Sequence, residues 1–363
     1  MPSLRTFALL AALSASVGLP APPAAQPVPL DSLARVSADT LGLPSLVVGV
    51  SVGGERFYAG VGTVDGTAPD ARTLYEIGSV SKVLTALTLA DAVVRGETTL
   101  ETPVAALLPD SATVRAHADG PIRLVDLATH TSGLPRLDLS MGVVPGSDGA
   151  VPYARYRPEH LLAFLRRVPP STAPGTRFEY SNHGAGLLRF ALAQRAGTGY
   201  ADLVRERVLA PLGMAETFDA VPDSLAARFA EGHGGDGGPV PHWTFTDASA
   251  GAGGWRSSAA DLLTLAEAAL APEATPLAEA LALALAPRAD VSRGRQVGLG
   301  WFLFPVPGSD DLTMAFHNGG TGGFVSFLAA VPEAGVAVVV LTNRQSSVDA
   351  LGMDLVRRLV AAE

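Results

Sequence analysis

Ser79 and Lys82 stand three residues apart in the segment YEIGSVSKVLTALTLAD, and Lys82 is the one lysine of a chain with 25 arginines. A serine hydroxyl becomes a nucleophile when a base takes its proton, and a lysine amine serves if it can lose its own. A guanidinium, with a pKa above about 12, cannot. A composition that writes Arg wherever charge alone is needed would therefore stop at this position. Gly78 precedes the serine and VLTALTLADAVV continues as helical sequence, so the i, i+3 spacing predicts both side chains on one face of a first helical turn. Unpaired backbone N–H groups and the positive end of the helix dipole there can stabilise an oxyanion. Alone, the tetrapeptide fits a capping serine and an ordinary helical lysine equally well.

Two further groupings could supply partners. In PGTRFEYSNHGAGLL, residues 174–188, an extended stretch delivers Tyr180 and Asn182 just before a helix. A phenol beside an amine can shuttle a proton, and an amide two residues on can bind a substrate carbonyl or amide. A core aromatic and a helix cap would read the same way. In FHNGGTGGF, residues 316–324, glycines on a strand edge let a ligand approach the backbone. His317 could meet an anionic or polar substrate group there, or sit on a surface turn.

Taken in order, Ser79-Val80-Ser81-Lys82, Tyr180-Ser181-Asn182 and His317-Asn318-Gly319 resemble the three active-site motifs of the penicillin-recognising serine hydrolases. That family includes class C β-lactamases, D,D-peptidases and related esterases. The segments LVDLATHTSGLPRL (124–137), GAGGWRSSAADL (251–262) and HNGGTGGFVSFLAAVPEAGVAVVVLTN (317–343) are similar to it too, so the resemblance spans almost all of the chain after the first 25 residues. It implies an α/β (α+β) fold of the β-lactamase/transpeptidase type: an antiparallel sheet flanked by helices, a helical domain, and the active site between them. It further implies that Ser79 is acylated and that Lys82 and Tyr180 share the general-base and general-acid work, in an order left open. Asn182 would bind the substrate amide, and the backbone N–H groups of Ser79 and of Gly320, just after Gly319, would form the oxyanion hole. His317 stands where class C β-lactamases usually carry lysine. A mostly neutral imidazole holds a β-lactam carboxylate less well than a fixed cation. The implied activity is hydrolysis of an amide or ester, of the D,D-peptidase, D-amino-peptide or esterase type. A class C-like β-lactamase, or a penicillin-binding module with little turnover, is the alternative. No cofactor is implied.

These residues must be positioned by elements the sequence also announces. DSLARVSADTLG reads as a helix capped by Asp31, and SLVVGVSVGGERFYAGVGTVDG as two strands around Gly53-Gly54. Near the other end QVGLGWFLF, LTMAFHNGG, FVSFLAAVP and GVAVVVLTN read as successive strands, and SSVDALGMDLVRRLVAAE as a closing helix. Strands toward both ends with mostly helices between them predict one sheet built from about 26–95 and 291–363, around a helical insertion at about 96–290.

Composition narrows the function. A chain of 363 residues at 48% hydrophobic and 17% charged can bury a sizeable core. Its formal net charge of -9 argues against nucleic-acid or anionic-membrane partners, and the resemblance implies a small-molecule or peptide substrate. With no cysteine there is neither disulfide nor thiol nucleophile. Residues 1–25, with Arg5 ahead of FALLAALSASVGL, read as an export leader, predicting a periplasmic or extracellular protein. No later segment has the roughly 18 apolar residues of a transmembrane anchor. EGHGGDGGPVPH brings His233, Asp236 and His242 close together, but without the spacing of a helical metal pair, so no metal is expected.

Overall fold

The computed structural model describes residues 26–137, 144–309 and 311–362; the leader-like residues 1–25 lie outside them. Twelve strands are described: β1 (Ser45–Val52), β2 (Glu55–Gly62), β3 (Leu74–Glu76), β4 (Gly232–His233), β5 (Pro239–Val240), β6 (Arg256–Ser258), β7 (Ala289–Ser292), β8 (Arg295–Val297), β9 (Phe302–Pro305), β10 (Thr313–Gly320), β11 (Val325–Val331) and β12 (Val336–Thr342). The helices are α1 (Leu30–Leu41), α2 (Ser81–Val94), α3 (Leu124–Ala128), α4 (Pro158–Arg167), α5 (Asn182–Ala196), α6 (Tyr200–Val204), α7 (Ala210–Leu212), α8 (Ala250–Gly253), α9 (Ala259–Leu270), α10 (Ala278–Leu285) and α11 (Asp349–Val360).

Eight strands form one antiparallel sheet in the order β2-β1-β12-β11-β10-β9-β8-β7. The sequence of β12, VAVVVLT, explains its central place, because a strand buried on both faces reads as an unbroken apolar run. Its period of two divides it between two cores. Val336, Val338 and Val340 pack with α1 and α11 on one face, whereas Ala337, Val339 and Leu341 face α2 and α9. Alternate residues of β11 follow the same rule, Phe327 and Ala329 facing one way, Leu328 and Ala330 the other. Ser79 and the helical region lie on the α2 side. Helix α2 is apolar nearly all round and buried from Ser81 to Ala92, so it runs through the middle of the molecule.

Two local expectations are corrected. Helix α1 begins at Leu30 after Pro29, so Asp31 sits in the first turn, favouring the positive helix end without capping it. QVGLGWFLF is not one strand but β8 and β9, parted at residues 298–301. Gly300 there has φ +72, and a Cβ on it would lie 2.7 Å from the Ala86 Cβ and 2.8 Å from the Lys82 carbonyl oxygen. The chain turns in against α2 at the level of the lysine, which only glycine permits.

Leu328 is fully buried between sheet and helices. Leu328→Ala is expected to lower unfolding stability by about 2–5 kcal/mol. Urea denaturation monitored by circular dichroism checks this, with the slope of the transition unchanged.

Candidate active site

The serine occupies a 3-10 turn, Gly78–Val80, which feeds directly into α2. Gly78 adopts φ +49, and that turn presents Ser79 toward solvent while Val80 enters the core. One turn later Lys82 is 3% exposed. Its Nζ is hydrogen-bonded to Ser79 Oγ at 3.0 Å and donates to the Ala252 carbonyl at 2.6 Å. Burial, and secondarily the positive charge of Arg136, hold the amine well below its ordinary pKa. Among the described residues no carboxylate opposes that shift. The amine is thus biased toward the neutral form a base requires.

Ser181 caps α5, its hydroxyl accepting from the Gly184 N–H at 2.8 Å, and that cap fixes Tyr180 and Asn182 on either side of it. The Tyr180 ring centroid lies 5.0 Å from Lys82 Nζ, and the Arg136 guanidinium lies 5.0 Å from the same ring. Burial pushes the phenol up to about 12, against an opposing hydrogen bond with Ser79. Tyr180 is therefore a phenol at neutral pH, with a proton to give. His130, at the unusual φ of +58, lays its ring 4.3 Å from that of Tyr180 and accepts the Ser181 N–H at 3.2 Å. Asn182 donates to the Tyr153 hydroxyl at 3.0 Å, and its Oδ1 is buried with no partner.

The sheet supplies the opposite wall. Gly319 and Gly320 end β10 against the serine turn so closely that a Cβ on Gly319 would lie 2.0 Å from the Ile77 carbonyl oxygen and 2.9 Å from Ser79 N. A Cβ on Gly78 would lie 2.5 Å from Gly320 N. Thr321 donates to the Phe324 carbonyl at 3.0 Å, so by the alternation of an antiparallel ladder the neighbouring Gly320–Val325 pair is not hydrogen-bonded. The Gly320 N–H is turned to the outer edge of β10, which β9 leaves open beyond Phe316. Two backbone donors, of Ser79 and Gly320, thereby come together across the junction.

His317 lies elsewhere than expected. Its imidazole is 1% exposed and packs 5.1 Å from the Phe302 ring and 6.2 Å from that of Tyr180, while residues 318–320 line the cleft. Position 317 shares the α2 face of β10 with Gly319 but lies two residues deeper, in the Lys82 layer, and burial pushes the ring down to about 3, so it is neutral. His233 hydrogen-bonds the Asn343 backbone and His242 stacks on Phe229 at 3.9 Å; among the described residues neither belongs to a group that could hold a metal ion.

The cleft between the walls has a volume of about 610 Å³ and is lined by Ser79, Tyr180, Asn182, Gly319 and Gly320 together with Arg136, Tyr153, Trp243, Phe245 and Asp349. A family model described as Beta-lactamase matches residues 30–362. The chain belongs to the beta-lactamase family. Among its relatives, a beta-lactamase of Pseudomonas fluorescens is 30% identical over 321 residues, covering 80% of this chain and 85% of the relative. The D-alanyl-D-alanine-carboxypeptidase/endopeptidase AmpH of Escherichia coli (strain K12) is 27% identical over 370 residues, covering 94% and 91%. A solved class C beta lactamase from Rhodobacter sphaeroides superimposes with a TM-score of 0.76 at 26% identity, over 91% of this chain and 97% of that one. This beta-lactamase family member is a serine hydrolase with the class C beta-lactamase fold.

Sequence reasoning missed Ala252, Arg136, Tyr153 and Asp349. The first two lie in segments whose family likeness was visible, GAGGWRSSAADL and LVDLATHTSGLPRL, but a carbonyl that receives an amine leaves no mark in residue type. Tyr153 sits in a Gly/Pro-rich loop, and Asp349 reads as the start of a helix.

Two outcomes test the geometry. Gly319→Ala, which drives a methyl into the serine turn, is expected to lower kcat/KM about 100-fold or more while thermal melting still shows a folded protein. Because the Arg136 charge depresses the Lys82 amine, Arg136→Gln is expected to raise the Lys82 pKa. The acid limb of the pH–kcat/KM profile should then move to higher pH, and a limb that stays in place would remove Lys82 from the role of base.

Proposed function

We propose that this serine hydrolase is exported and forms an acyl-enzyme through Ser79 on an amide or ester, of the D-amino-acid-peptide or esterase type. One observation carries the reading: a buried amine with no described carboxylate beside it, 3.0 Å from a serine hydroxyl that opens into the cleft. Lys82 takes the Ser79 proton as Oγ attacks the substrate carbonyl, and the developing oxyanion lies between the N–H groups of Ser79 and Gly320. The Tyr180 phenol delivers a proton to the departing amine or alcohol and recovers one from Lys82. Water then attacks the ester of Ser79, giving its proton to the same pair, and the acid leaves with Oγ–H restored.

The unpartnered Oδ1 of Asn182 favours amide over plain ester substrates, since it can accept a substrate N–H that an ester lacks. Neutral His317 offers no fixed cation for a β-lactam carboxylate, which supports peptidase or esterase over β-lactamase. The leader-like residues 1–25 support export.

Ser79→Ala is expected to lower kcat by about 10⁴-fold or more and to abolish the covalent adduct seen by intact-mass spectrometry after an acylating β-lactam or fluorophosphonate. An adduct persisting on the alanine variant sinks the assignment. Lys82→Arg is expected to match Lys82→Ala within about tenfold, because a guanidinium cannot act as base. In a panel of D-Ala-D-Ala peptides, short acyl esters and a chromogenic cephalosporin, the cephalosporin is expected to have a kcat/KM at least about tenfold below the best peptide or ester.

A further inference from the structure

Among the described residues, the charged side chains lining the cleft are Arg136 and Asp349, one on each wall. Arg136 belongs to the helical wall. Its guanidinium lies 5.0 Å from the Tyr180 ring, its carbonyl accepts the Asn182 N–H at 3.0 Å, and it forms no ion pair with a described carboxylate. Asp349 belongs to the sheet wall, at the first position of α11. One of its oxygens accepts from Asn318 Nδ2 at 2.9 Å, which ties the carboxylate to the strand residue just before Gly319 and Gly320. The other oxygen is buried with no hydrogen-bond partner, and no described cation pairs with it. A carboxylate so fixed beside the oxyanion donors has unspent capacity to attract a donor.

Ser79 stands where the two walls meet, with its hydroxyl toward Lys82 and its backbone N beside Gly319. A substrate acylating it must extend one group along each wall. We propose that the cleft selects dipolar substrates, amides or esters with an ammonium-type cation on the side of the scissile bond that meets Asn318 and Asp349 and a carboxylate on the side that meets Arg136. This rests on the hydrolase reading above and adds to it a charge orientation. Asp349 rejects as well as attracts. A carboxylate placed beside it meets a like charge in a half-enclosed site, and such repulsive elements set specificity as strongly as attractive ones. Asp349 and Arg136 are thus specificity-determining residues, outside the proton-transfer group.

The test uses two matched amide series. In one the acyl group carries an ammonium or a carboxylate against a common neutral leaving group; in the other the leaving group carries the charge against a common neutral acyl group. For each series the ratio of kcat/KM, ammonium over carboxylate, is measured in the wild type, Asp349→Asn and Arg136→Gln. The ratio is independent of the fraction of folded enzyme and of any general change in the base. The wild type is expected to prefer the ammonium by about tenfold or more in one series and the carboxylate in the other. Asp349→Asn should collapse the first preference alone, and Arg136→Gln the second alone. Ratios that stay within about twofold in both variants, or variants that act on the same series, overturn the inference while Ser79 acylation stands. If no member of either series leaves an adduct on Ser79, the hydrolase reading itself fails and this one with it.

Discussion

Lys82 carries its amine on the inner side of α2, where burial withdraws the water an ammonium needs and no described acid is set nearby to replace it. Its nitrogen is hydrogen-bonded to the Ser79 hydroxyl and to one carbonyl, that of Ala252. Holding an amine there requires everything around it to be in register. Helix α8 must present a carbonyl, so Gly251 lets its backbone approach α5. An added Cβ there would lie 2.4 Å from the Arg189 Cβ and 2.8 Å from the Ala185 carbonyl oxygen. Thr85, one turn beyond the lysine, hydrogen-bonds the Gly251 carbonyl at 3.0 Å and locks the two helices together.

The same constraint explains why the sheet is assembled from distant parts of the chain. Strand β10 is wanted at the serine for its bare backbone, and β1 and β12 secure it from behind through β11. The glycines at 78 and 319 allow two backbones to meet where side chains would force them apart. The oxyanion donors are therefore a property of how helix and sheet dock, and they exist only in the folded molecule.

The grouping of Ser79 with Lys82 and of Tyr180 with Asn182 was legible because it depends on residue type and on short spacings that helices and caps enforce. The successive strands β10 to β12 were legible because each is an apolar run bounded by glycine, proline or asparagine. What escaped reading depends on tertiary placement. The carbonyl of Ala252 has no signature, and the break between β8 and β9 follows from the nearness of α2 to Gly300, 218 positions from Lys82 in sequence. His317 was found by type but assigned the wrong surroundings. Its pairing with Leu328, known only once the ladder is fixed, puts its ring in the buried layer on the α2 side.

The solitary status of Lys82 gives the molecule an unusual chemical address. In a chain with 25 arginines and one lysine, any reagent specific for ε-amines has a single target, and that target is 3% exposed behind the serine. Reductive methylation or acylation of that amine can proceed only as fast as the cleft loosens around it. A label on Lys82, read at that residue and apart from the α-amino terminus, would therefore clock the breathing of the cleft itself, with no background from other lysines.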